Sequence, residues 1–169
     1  MKMLKYSQRK FCIVKNKTKF DKWDHRFMEL AGTVASWSNC IREGRQIGAV
    51  IARDKRILTL GYNGAPAGVK TCADRGVCLR NAKQIESGTQ LQLCYSVCAE
   101  QNAIVQAAYL GNSIKGATMY TTHEPCTICT RLIISSGITR VVYDREYPDP
   151  FAKGLVKECG IPFEKYTKE

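Results

Sequence analysis

The sequence has no apolar run long enough to cross a bilayer, which takes about 20 consecutive apolar residues in a helix. That excludes a helical membrane protein. The opening stretch MKMLKYSQRKF carries charge but lacks an apolar core and a small-residue cleavage site. No secretory signal is therefore read, and a cytoplasmic address is expected. No internal repeat and no low-complexity segment beyond a basic tail occur. Acidic residues are few, 15 against 26 Lys and Arg, for a net charge of +11. Eight of the basic residues fall in residues 1–22, beside a single Asp. Such a block is drawn to polyanions. No RNA-binding signature accompanies it, so nucleic acid is not the expected substrate. Histidine is limited to His25 and His123. His25 is read as packed or solvated, and His123 is not needed to complete a ligand set.

Cysteine, in contrast, is abundant, with nine in 169 residues. A chain of this length builds a core of its own as one domain and needs no disulfide framework. An odd count, with a close pair and a third cysteine at metal-like spacings, points to metal binding in a reducing compartment.

Periodicity places the clusters on elements. Trp23, Phe27, Leu30, Ala31 and Val34 recur at helical steps within 23–38. The runs IGAVIAR (47–53) and RILTLGY (56–62), separated by Asp54-Lys55, read as a hairpin. Residues 63–94 are irregular, with a helical piece around 79–86. Ala99–Leu110 reads as a helix closed by Gly111-Asn112. ATMYTT (117–122), 126–136, RVVYD (140–144), 150–158 and FEKY (163–166) then alternate as strand and helix. This predicts an α/β domain, a sheet with helices on both faces and some parallel pairing. The basic tail, 1–22, is set apart from the domain, 23–169.

Cys126-x-x-Cys129 follows Pro125 at a helix start. A helix N-terminus offers free N–H groups and a positive dipole end, and both favour thiolates. Cys98 opens another helix and supplies a third ligand. Three protein ligands leave one coordination position open, the mark of a catalytic rather than structural zinc site. Glu100, two residues after Cys98, is placed to take a proton from a water there and pass it to substrate. C-A-E followed by P-C-T-I-C is close to the zinc deaminase signature, H-x-E followed by P-C-x-x-C.

Beyond these motifs, WDHRFMELA, SNC, IGAVI, ILTLGYNGAPAG, CAEQNAIVQAA, GATMYTTHEPCTIC, SSGITRVVY and YPDPFAKGLVKECGIPF occur in that order. Over about Trp23 to Tyr166 the chain resembles the deoxycytidylate (dCMP) deaminases, bacterial late-competence-type branch, of the zinc-dependent cytidine deaminase superfamily. The resemblance implies a three-layer α/β/α fold with a mixed sheet of about five strands. It implies conversion of dCMP to dUMP and ammonia, a homo-oligomer, in that family a hexamer, and regulation by dCTP and dTTP. It assigns Cys98, Cys126 and Cys129 to zinc and Glu100 to the proton shuttle. It also brings Asn63 to the sugar, Thr122 to the pyrimidine pocket and Tyr147 near the substrate. Asn63-Gly64 is also an ordinary turn pair, and Tyr147 also reads as a packing aromatic. Cys40, Cys72, Cys78 and Cys94 match positions where related enzymes hold a second, structural zinc, which would pin the irregular segment. Their plainer reading is buried free thiols. Cys12 and Cys159 are read as free.

The chain departs from this family in three places. Cys98 stands where the family has histidine, which makes the ligand set one charge more negative. Gln101 is the side chain expected to compensate by donating to a ligand sulfur. The stretch SNCIREGRQIGAVI carries two extra residues, and its Arg42 and Arg45 are expected to contact phosphate, which guanidinium pairs well. Tyr109 occupies a position where some regulated relatives carry arginine. Three other readings stay open: a deaminase of another cytosine nucleotide or nucleoside such as dCTP or cytidine, a polynucleotide deaminase, and a non-catalytic zinc protein of DNA uptake.

Overall fold

In a computed structural model of the chain, residues 20–168 are described. The expected basic tail therefore lies almost wholly outside the described residues, as does Cys12. The elements are α1 (Lys22–Ala35), β1 (Gly48–Arg53), β2 (Arg56–Tyr62), α2 (Cys72–Arg75), α3 (Leu79–Ala82), α4 (Ala99–Tyr109), β3 (Thr118–His123), α5 (Thr127–Ser136), β4 (Arg140–Arg145), α6 (Pro150–Cys159) and β5 (Phe163–Lys165).

The strands form one five-stranded sheet in the order β2-β1-β3-β4-β5. The first two pairings are antiparallel, and β3, β4 and β5 run parallel. The hairpin expected at Asp54-Lys55 is present. Both turn residues have positive φ, 52° and 63°, as a two-residue turn matched to the strand twist requires. Alternation along the strands splits the core in two. Phe27, Met28, Ala31 and Val34 of α1 pack on Val50, Ala52, Tyr120 and Val142. Ala99, Ala103 and Ala107 of α4 and Ile133 of α5 pack on Ala49, Ile51, Met119 and Val141. The architecture is thus a mixed sheet between two helical layers.

Two glycines let the helices settle closely. A Cβ on Gly48 would stand 2.1 Å from Ala31 O in α1, and one on Gly61 would stand 2.5 Å from Ala99 O and Ala103 N in α4. Hydrogen bonds reinforce the second approach, from Thr59 Oγ1 to Ala103 O (3.1 Å) and from Asn102 Nδ2 to Tyr62 O (2.7 Å).

The irregular segment differs from expectation. The helical piece around 79–86 is only Leu79–Ala82, and a separate short helix, Cys72–Arg75, precedes it, capped by Thr71 and closed by Gly76 at φ 63°. Arg80 explains the early stop. Its guanidinium is 6% exposed and donates to Glu86 O, Thr89 O and Gln90 O at 2.7–2.8 Å, bending the chain around a buried cation.

A buried carboxylate ties α1 to the sheet. Asp24 accepts from Tyr120 Oη at 2.8 Å and from both Arg140 terminal nitrogens at 2.6 and 3.1 Å. Arg140 also reaches Glu164 on β5 at 2.7 Å. Burial works to raise the Asp24 pKa, but the Arg140 and Tyr120 hydrogen bonds and the Arg140 charge hold it below the usual value. A carboxylate depressed in the folded state stabilises above its unfolded pKa, and that contribution disappears as pH falls through the folded value. Asp24→Asn should therefore cost about 3 kcal/mol at pH 7, at the low end for a broken buried pair. The gap should begin to narrow below about pH 4, near the carboxyl's unfolded value, and vanish only below the lowered folded value. Urea unfolding of both proteins at pH 7 and pH 3 measures it.

Candidate active site

The N-termini of α4 and α5 meet on the sheet face opposite α1. Cys98 is the N-cap of α4 and Cys126 the N-cap of α5, with Cys129 in the first turn of α5. The three sulfurs lie within 4.8 Å of one another, the only such ligand group among the described residues. Cys126 and Cys129 stand 3.6 Å apart. Tetrahedral thiolates about 2.3 Å from a zinc ion are about 3.8 Å apart, so this pair fits one.

Hydrogen bonds from the Cys129 and Cys98 thiols overcome burial and bring Cys126 down to about 3, helped by the Cys129 and Ile128 N–H groups. Donating to Cys126 in turn pushes Cys129 well above the ordinary thiol value, and burial adds to it. Cys98 is pushed well above as well, first by its hydrogen bond to Cys126. Thiols lose their protons when they ligate a divalent metal, so metal binding at such a cluster is coupled to pH.

Glu100, in the first turn of α4, is 3% exposed, and its Oε2 lies 3.6 Å from the Cys129 sulfur. It stands outside the three-sulfur group. Burial pushes its carboxyl up to about 7, with the Cys126 charge adding to the rise and the Cys129 thiol and Thr121 hydroxyl pulling the other way. A carboxyl with this pKa both accepts and releases a proton near neutrality.

The cluster and Glu100 open into one cavity, which Asn63, Tyr147, Arg42 and Arg45 also line, together with Cys40, Cys72, Cys78 and Cys94. Asn63 is 8% exposed, with its amide committed: Ile47 N donates to Oδ1 at 2.7 Å and Nδ2 donates to Arg45 O at 2.8 Å. The four further cysteines are neighbours. Burial raises the Cys72 thiol, and the charges of Cys78, Cys94 and Cys40 raise it further. Cys94 is exposed, and these four do not form a second ligand group within 4.8 Å.

Thr122 is the one expected site residue that does not line this cavity. A strand alternates its faces, and Thr122 shares the α1 side with Tyr120, where its Oγ1 accepts from Gly48 N at 3.2 Å. The neighbouring Thr121, fully buried, lies on the opposite face, and its Oγ1 makes no hydrogen bond among the described residues. Gln101 also differs from expectation: its Oε1 accepts from Cys98 N at 3.3 Å. His25 is engaged with the Tyr166 hydroxyl at 2.6 Å. His123 does reach the cavity wall. Sequence reading missed Ser96, whose buried Oγ has no hydrogen-bond partner among the described residues, and Arg80 and Asp149. Only Asp149 carried a readable signal, the N-cap position before Pro150.

Asp149 closes two helices at once. Its Oδ2 accepts from Thr127 N at 2.7 Å, and its Oδ1 accepts from Thr127 Oγ1 at 2.7 Å and from Ala152 N at 3.0 Å. The N-cap of α5 is Cys126. A carboxylate from the β4–α6 connection takes the first N–H of the helix, that of Thr127.

The comparisons with known proteins agree with this geometry. Residues 21–145 match the family described as the cytidine and deoxycytidylate deaminase zinc-binding region, and the chain belongs to that family. It is 35% identical over 147 residues to the deoxycytidylate deaminase of Schizosaccharomyces pombe, covering 85% of this chain but only 44% of that one. It is 38% identical over 144 residues to ComE operon protein 2 of Bacillus subtilis, covering 85% of this chain and 70% of that one. Among solved structures, the dCMP deaminase of cyanophage S-TIM5 in complex with dCMP and dUMP superposes with a TM-score of 0.70 at 26% identity, covering 88% of this chain and all of that one. The five-stranded mixed sheet with its helices is the cytidine-deaminase-like fold. Among the described residues, no helix is long and apolar enough to cross a membrane.

Removing the double cap should be costly. Asp149→Ala is expected to lower stability by about 2 kcal/mol, the upper range for a lost N-cap, because two helix starts lose their acceptor. Urea denaturation of the metal-free protein measures this, and a loss below about 0.5 kcal/mol would show that water replaces the carboxylate.

Proposed function

We propose that the chain catalyses hydrolytic deamination of dCMP to dUMP and ammonia, supplying dUMP for thymidylate synthesis. The observation that carries this is the buried Glu100 carboxyl, 3.6 Å from a sulfur of the three-thiol cluster and open to the cavity. The substrate assignment is supported by relatives named as deoxycytidylate deaminases and by the related structure that holds dCMP and dUMP. Cys98, Cys126 and Cys129 would hold a zinc ion, which would supply Lewis acidity toward the attacking water. Glu100 takes a proton from that water as its oxygen adds to C4 of the ring. It protonates N3 and then carries a proton to the departing amino group, so that ammonia leaves and the carbonyl of uracil remains.

Arg42 and Arg45 take the phosphate, where guanidinium offers paired donors. Tyr147 stands beside them. Asn63 acts through the backbone, since its amide holds Arg45 O and Ile47 N at the cavity wall.

Cys40, Cys72, Cys78 and Cys94 close on a second, structural zinc, which their common place in the cavity wall supports. The active form is a homo-oligomer, a hexamer by likeness to the family. Support comes from Val105, Tyr109, Leu110, Ile128 and Leu132, large apolar side chains left exposed on the neighbouring helices α4 and α5. Regulation by dCTP and dTTP and a cytoplasmic address complete the proposal.

Three measurements test it. In a panel of dCMP, CMP, dCTP, deoxycytidine, cytidine and cytosine-containing oligonucleotides, ammonia release should be fastest with dCMP; preference for a free nucleoside sinks the substrate assignment. Glu100→Ala should keep its zinc and lose about 10³-fold or more in turnover. Metal analysis should find about two zinc ions per chain, falling to about one in Cys72→Ser; a single zinc that survives this change rules out the structural site.

A further inference from the structure

A strap of chain lines the cavity wall. It is the loop that follows α3, wound around the Arg80 guanidinium through the carbonyls of Glu86, Thr89 and Gln90. Its far side rests on the β4–α6 connection: Gly88 has φ +86°, and a Cβ there would stand 3.0 Å from Pro148 O. So close an approach, in a left-handed conformation, admits little but glycine. Between these two anchors the strap presents Ser87 to the cavity.

Ser87 touches two of the side chains already placed at the mouth. Arg45 Nη2 donates to Ser87 Oγ at 3.0 Å. The Tyr147 phenol lines the same wall, its pKa raised by burial and lowered by the adjacent Ser87 hydroxyl and Gly88 N–H. Three separate segments thus meet on one hydroxyl: the loop before β1, the strap and the connection after β4.

The choice of a neutral partner matters. Among the described residues no carboxylate pairs with Arg45. A hydroxyl orients the guanidinium without cancelling its charge, and leaves its other N–H donors for an anion. The uncancelled charge is felt across the cavity by His123, whose pKa is lowered by burial and then by Arg145 and Arg45.

We propose that Ser87 is the positioning residue for phosphate selection. It holds the Arg45 guanidinium and the Tyr147 phenol as the two arms of a clamp that distinguishes a nucleoside monophosphate from its free nucleoside. This rests on the reading of the site as a cytosine nucleotide deaminase. Ser87 itself does not touch the reacting atoms. Its effect reaches the substrate through Arg45 and Tyr147 and is expressed in binding rather than in proton transfer.

The test is steady-state kinetics of the zinc-loaded protein and of Ser87→Ala and Ser87→Thr, with dCMP and with deoxycytidine. For Ser87→Ala the ratio of kcat/KM for dCMP to that for deoxycytidine should fall about tenfold, the scale of one hydrogen bond to a charged group. The loss should lie in KM for dCMP. Ser87→Thr, which keeps the hydroxyl, should restore most of the ratio. An unchanged ratio in Ser87→Ala, or an equal loss on both substrates, overturns the assignment of Ser87 while leaving the deaminase reading intact. A wild-type protein that prefers deoxycytidine to dCMP overturns both together.

Discussion

The contact of backbone with backbone at Gly61 is the constraint on which the site depends. The α4 helix carries the buried Glu100 carboxyl and begins with the Cys98 thiol, so its position against the sheet sets where both groups lie. A side chain at residue 61 would collide with the main chain of α4, and the Thr59 and Asn102 hydrogen bonds fix the register along the helix. The small Ala99, Ala103 and Ala107 on the inner face extend the same close approach. On the other side of the sheet, Gly48 permits the equivalent contact with α1. Interiors packed at this density transmit displacement rather than absorb it, and a helix lifted here would carry Glu100 away from the Cys126–Cys129 pair.

Much of this was legible in the sequence, for physical reasons that differ between residues. The helices and strands announced themselves by period, because one face of each is buried. The ligands announced themselves by spacing, because thiols at the first turn of a helix share the same free N–H groups. Thr122 shows the limit. Motif position fixes a residue only to within one or two places, and in a strand one residue is the difference between two faces of the sheet: Thr122 lies on the α1 side, bonded to Gly48 N. The segment from 63 to 97 was opaque for another reason. Its conformation depends on Arg80 donating to three carbonyls up to ten residues ahead, and on Gly64 and Val97 pairing across its ends. Neither produces a periodic pattern.

The thiol at residue 98 was the least expected feature, and the structure gives it a setting. Gln101 does not turn an N–H toward sulfur; its carbonyl oxygen takes the Cys98 N–H instead. Compensation for the added charge therefore falls to main-chain groups. At α5 these are the Ile128 and Cys129 N–H donors to Cys126, and they are free to serve a ligand because Asp149 satisfies Thr127 from outside. A helix N-terminus that already holds a carboxylate and a thiolate is well supplied with negative charge.

That charge has a consequence for the substrate. Three thiolates around a divalent metal leave the floor of the cavity with a net charge of about −1, where a histidine in the set would leave it neutral. A nucleoside monophosphate brings about −1.5 to −2 more near pH 7. Repulsion between the two is reduced by distance, and by positive charge near the phosphate that is not already neutralised by a protein carboxylate. The cavity meets both conditions. Its floor is formed by the starts of α4 and α5, and its mouth is formed by the loop of Arg42 and Arg45, where the guanidinium of Arg45 is oriented by a hydroxyl. Arg80 adds a further cation, whose side-chain hydrogen bonds among the described residues go to neutral carbonyls. A guanidinium with neutral partners keeps its charge available to an anion. Under the proposed function, the thiol ligand set and the neutral partners of Arg45 and Arg80 would be two parts of one electrostatic arrangement, in which a more negative metal site is offset by arginines that have no carboxylate partner among the described residues.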